Sequence, residues 1–128
     1  MTFWKYPDLG FSTPYDCHVF KNGMFSAFEL KIIKSVDVWN LKNSFRNREF
    51  QIDNLMRVKA NGGNAWIVVN HFRGRGLNKA YMMAPEFAKG ILDNGGTVSI
   101  KEAVESRMMD ELQNEGFGIW NLRKLFIK

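Results

Sequence analysis

The chain has 128 residues, a formal net charge of +5 and a pI near 9.5. Its 45% hydrophobic and 14% aromatic content is that of a packed chain, which excludes disorder, and the length suits a single domain, 1–128, around one core. No apolar run approaches the roughly 18 residues that span a bilayer, the first ten residues lack the apolar core of a secretory signal, and the lone Cys17 has no partner for an internal disulfide, so the expectation is a cytoplasmic protein with no membrane partner.

Residues 16–20 and 23–34 read as two strands, joined by a tight Lys21-Asn22-Gly23 turn because Asn-Gly favours the positive φ angles of a hairpin. Residues 36–44 read as a polar loop containing Trp39. Residues 46–60 have helical composition, with Ile52, Leu55 and Met56 on neighbouring turns, and Asn61-Gly62-Gly63 stops them. Residues 65–70 (AWIVVN) are apolar and β-branched, which predicts a buried strand. The stretch 73–76 is a loop, 79–83 a further strand, and 85–92 a short helix ended by Asn94-Gly95-Gly96. Ser99 and Glu102 form a capping box that opens a helix running to about Asn114. The tail, IWNLRKLFIK, suits either helix or strand. Strand, strand, helix, strand, strand, helices predicts an α/β fold with helices packed on a mixed sheet.

Charge is distributed unevenly. The stretch 31–79 holds ten Lys or Arg against Asp37, Glu49 and Asp53, whereas 80–115 holds seven carboxylates against Lys89, Lys101 and Arg107. One basic region of this kind suits a polyphosphate ligand such as nucleic acid. Two His and one Cys supply no recognisable zinc site.

The chemistry lies in the second strand. Glu29 and Lys31 are two residues apart and project from one face, inside the apolar run Phe28-Glu29-Leu30-Lys31-Ile32-Ile33. Such a pair is most often a solvated one, but apolar neighbours argue for a central strand. Asp16 lies across the hairpin, where a second carboxylate can share a cation with Glu29. Mg²⁺ accepts carboxylates, a backbone carbonyl and waters, because it requires octahedral oxygen. A Lys beside it can orient water or meet charge on a phosphate. His18 and His71 read as structural.

The ordered set Asp16, Gly23, Phe28-Glu29-Leu30-Lys31, Trp39-Asn40-Leu41-Lys42-Asn43, Gln51-Ile52, Gly62-Gly63 and the strand 65–70 resembles the RecU-type Holliday junction resolvases within the PD-(D/E)XK nuclease superfamily. The resemblance covers roughly residues 13 to 83 and implies the restriction-endonuclease-like mixed sheet flanked by helices. It implies Mg²⁺, with Mn²⁺ as an alternative, held by Asp16, Glu29 and the Leu30 carbonyl, with Lys31 and Gln51 completing the catalytic set. Lys34, Lys42, Arg46, Arg48, Arg73 and Arg75 would bind DNA, and Trp39 would flank the site. A homodimer would place paired nicks in four-way junctions; the crowding of apolar residues in the tail 119–127 suits either its pairing surface or closure of the monomer's own sheet. The family's His before the Gln is Phe50 here. Fifteen residues precede Asp16 and none is Glu, so the expectation is a short, stalkless, phage-like form. Asp8, in Pro7-Asp8, is the second choice for the acidic ligand. The alternatives are a nuclease for other branched or duplex DNA, and a non-catalytic DNA-binding recombination accessory protein.

Overall fold

The computed structural model describes residues 2–5, 17–21, 23–74 and 78–113, with side chains described from Cys17 onward except at Lys21. In chain order the elements are β1 (Thr2–Lys5), β2 (Cys17–Lys21), β3 (Met24–Ile33), β4 (Val38–Asn40), α1 (Leu41–Ser44), α2 (Phe50–Ala60), β5 (Asn64–His71), β6 (Lys79–Met83), α3 (Pro85–Asp93), β7 (Thr97–Ser99), α4 (Ile100–Glu105) and β8 (Met109–Leu112). Six strands form a mixed sheet in the order β1-β2-β3-β5-β6-β8, and β4 pairs with β7 in a separate ribbon. Among the described strands only β3 and β5 pair in parallel. A parallel pair needs a crossover, which the 34–63 segment supplies with α1 and α2.

Lys21 pairs with Met24, so two residues make the β2–β3 connection, as Asn-Gly predicts. Gly23 takes φ +75°, the left-handed conformation that glycine adopts without cost. At the other end of the crossover Gly63 passes close to β3. A Cβ there would stand 2.8 Å from the Phe25 carbonyl oxygen.

Strand alternation sorts β3 onto two faces. Ala27 and Ile33 join Ala65, Ile67 and Val69 of β5 and Tyr81 and Met83 of β6 in the main core. Onto this face pack Ile52 and Leu55 of α2, Ala88 and Ile91 of α3, and Ile100 and Ala103 of α4. A second cluster on the opposite face unites Cys17, Val19, Phe28, Ala80, Met82 and Leu112. The architecture is therefore α/β, a mixed sheet with helices packed on it. Among the described residues no helix is long and apolar enough to cross a membrane.

Three expectations need correction. The 36–44 segment is not a polar loop. It holds β4 and α1, and Trp39 is 1% exposed in the core, its Nε1 donating to Ser44 Oγ at 2.8 Å. The indole has more apolar surface to bury than its polar neighbours suggest. Second, α2 starts at Phe50, because Asn47 takes φ +59° and interrupts the helical pattern before it. Third, Ser99 caps α4 through the Glu102 N–H as the sequence predicts, but the helix ends at Glu105. Arg107 takes φ +64°, and β8 follows, pairing Met83 with Met109 and Ala80 with Leu112. As a strand, both Met109 and Leu112 reach buried positions; here tertiary pairing overrides helical composition. Strand β1 was also not anticipated. The tail 119–127 lies outside the described residues.

Candidate functional site

Strand β3 has a neighbour on each side, and this central position determines how its charged residues are placed. Glu29 and Lys31 stand opposite Ile67 and Val69 of β5, both 0% exposed, so two ionisable groups enter an apolar layer beneath the helices. An isolated buried carboxylate would be strongly disfavoured. Glu29, 1% exposed, meets Lys31 Nζ at 3.1 Å from its Oε1, and the Lys31 side chain keeps 12% exposure.

The ammonium has two further partners. It donates to Gln51 Oε1 at 3.3 Å and lies 4.5 Å from the centroid of the Phe45 ring. Gln51 sits in the first turn of α2 and is 3% exposed, and Ile52 and Leu55 anchor that helix to the sheet. Phe45 is fully buried at the end of α1. Carboxylate, amide oxygen and aromatic face thus converge on one positive centre, all three being partners that favour a cation.

Three residues singled out from the sequence, Glu29, Lys31 and Gln51, are therefore brought together. Leu30 turns its side chain to the other face, 40% exposed. Lys34, Lys42, Arg46, Arg48 and Arg73 are exposed. Arg46 and Arg48 lie in the short turn between Phe45 and Gln51, the segment that delivers two of the site's side chains, and Arg46 donates to Asn43 Oδ1 at 3.1 Å. Lys34 and Arg73 follow the neighbouring strand ends Ile33 and His71, which are in register. Asp16, Asp8 and Arg75 lie outside the described residues. Asp16 immediately precedes Cys17, whose partner is Phe28, the residue before Glu29.

Phe45 was missed by sequence reasoning. Its signal was an aromatic residue between polar neighbours in Lys42–Glu49, where nothing but an inward role calls for one. His71 does behave structurally, its Nε2 2.6 Å from the Ser35 carbonyl oxygen. The His18 ring lies 5.4 Å from that of Phe25. Tyr81 shares the sheet face with Lys31, across Val69, and burial raises its phenol above the ordinary value, keeping it neutral. A cleft of about 710 Å³, lined in part by His71, Tyr81, Ile100 and Val104, opens on this face but does not include Glu29, Lys31 or Gln51.

Among the described residues no three His, Cys, Asp or Glu side chains come together. The donors at the Glu29 position nonetheless fit a hard cation. Glu29 Oε1 and Gln51 Oε1 both face the same positive atom, and both are the oxygen type that Mg²⁺ takes. Compared with known proteins, the chain matches no family model and no curated relative.

Proposed function

We propose that the protein is a Mg²⁺-dependent, structure-selective DNA endonuclease of the PD-(D/E)XK type, a resolvase that nicks four-way junctions as a homodimer. The observation that carries this reading is the meeting of Glu29, Lys31 and Gln51 at one ammonium. Gln51 is twenty residues from Lys31 and comes from a different element, so the E-x-K spacing does not by itself bring it there. The resemblance to the RecU-type resolvases selects the same three residues from motif order alone.

In this reading Glu29, Asp16 and the Leu30 carbonyl would hold the ion, which would supply Lewis-acid charge at the scissile phosphate and lower the pKa of a bound water. Lys31 orients that water or meets charge developing on the phosphate. Before the ion binds, Gln51 fixes the Lys31 head group from the helix side. Lys34, Lys42, Arg46, Arg48, Arg73 and Arg75 contact phosphates and hold the duplex arms. Two-fold pairing of the protein gives two equivalent centres for strands of like polarity.

The test is cleavage of an end-labelled four-way junction beside linear duplex of the same sequences, with and without Mg²⁺. Paired, Mg²⁺-dependent nicks near the branch point are expected, and sedimentation at micromolar concentration is expected to give a dimer. A second reading has one observation in its favour: Glu29 is almost fully buried and its charge is already met by Lys31. A non-catalytic junction-binding accessory protein would bind the same DNA in that assay and leave it intact at every Mg²⁺ concentration.

A further inference from the structure

We infer that the Lys31 ammonium is a displaceable occupant of a cation site made by Glu29 and Gln51, so that Lys31 and a divalent ion exclude one another there. The inference rests on the nuclease reading for the identity of the ion and for what receives the displaced head group, and it adds a device that couples metal binding to DNA binding.

The geometry is that of an occupied site. Lys31 Nζ sits 3.1 Å from Glu29 Oε1 and 3.3 Å from Gln51 Oε1, with the Phe45 ring at 4.5 Å. Each of the two oxygens is a hard acceptor that a divalent ion takes equally well. One position lies within reach of both oxygens, and Lys31 Nζ fills it, so an ammonium and a divalent ion cannot occupy it together. Their mutual repulsion is twice that of two unit charges at the same separation and acts in a poorly hydrated place.

Exposure decides which group gives way. Glu29 is 1% and Gln51 3% exposed, one fixed on a central strand and the other in the first turn of a packed helix. The Lys31 side chain keeps 12% exposure, and its four-carbon stem lets the head turn toward solvent without moving the backbone. The exposed Arg46 and Arg48 belong to the turn between Phe45 and Gln51, so a phosphate held there offers the displaced ammonium a new anionic partner. Metal and DNA then assist each other's binding, and by linkage the effect is reciprocal. Without DNA, the ammonium holds the site and divalent ions bind weakly.

Mn²⁺ binding, measured without DNA by the paramagnetic resonance of the free ion, tests the exchange. Lys31→Met is expected to bind Mn²⁺ at least tenfold more tightly than the wild-type protein, Lys31→Arg to stay weak, and Glu29→Gln/Lys31→Met to lose the gain. Lys31→Met binding no tighter than wild type overturns the inference. A measurement on the wild-type chain guards against a variant that fails to fold. Amine-selective labelling of Lys31, read by mass spectrometry, should rise severalfold with Mg²⁺, and unchanged labelling would also reject the exchange. Junction cleavage is scored separately. A wild-type enzyme that cuts without this exchange loses only the inference, whereas exchange in a protein that never cuts removes the nuclease reading and leaves the cation site.

Discussion

Lys31 Nζ stands 3.1 Å from Glu29 Oε1, two residues along one strand, in a layer whose facing residues Val69 and Ile67 are fully buried. A buried pair of this kind is strongly destabilised by losing one member and much less by losing both, because the penalty comes from the charge left behind. Lys31→Met is expected to cost about 3 kcal/mol, and Glu29→Gln somewhat less because Lys31 retains some exposure. The double variant should recover most of that loss. Urea unfolding of the four proteins measures the coupling, and strictly additive losses would mean the two groups stand alone.

The exposed cations should act on binding and not on chemistry. Replacing Lys34, Arg46, Arg48 or Arg73 with Ala is expected to weaken junction binding. Each lost duplex phosphate contact should lower the salt-dependence slope by about 0.9. Rates at saturating DNA should change little. Titrations at several salt concentrations, set beside single-turnover rates, separate the two effects.

Much of the sheet was legible because its signals were local. Asn-Gly marked the β2–β3 turn, the run 65–70 marked β5, and 79–83 coincided with β6. The elements misread are those decided by distant partners. Trp39 looked like a loop residue until β7 and α1 closed around it, and 109–112 had helical composition but finds its burial only across β6. At the site, spacing gave Glu29 and Lys31 one face, and motif order gave Gln51. Phe45 was legible as an inward aromatic but not as a partner of Lys31, since no spacing rule connects the two across fourteen positions; the fold of α1 does.

Trp39 is now expected to act through stability and not through stacking on a base. Trp39→Ala should cost about 3–5 kcal/mol, the range for a large aromatic removed from a core, while Trp39→Phe should cost much less. At a temperature where both remain folded, junction affinity should match the wild type. An affinity loss in folded Trp39→Phe would return this residue to the DNA interface.

The left-handed turn at Arg107 ends α4 and directs the chain into β8. A side chain at φ +64° carries strain that glycine lacks. Arg107→Gly is therefore expected to raise stability by about 1 kcal/mol, with no effect on cleavage. Continuation of α4 through this position would instead make Arg107→Gly destabilising, which thermal unfolding would reveal.

The central claim is that Glu29 serves phosphodiester hydrolysis and is not merely a buried charge. Its most direct test is single-turnover cleavage of a labelled four-way junction in Mg²⁺ by the wild-type protein, Glu29→Gln, Asp16→Asn and Asp8→Asn, with binding measured on the same preparations. Wild type and Asp8→Asn are expected to nick the junction. Glu29→Gln and Asp16→Asn should bind it with near wild-type affinity and leave it uncut. A folded Glu29→Gln protein that cuts at the wild-type rate would contradict the account.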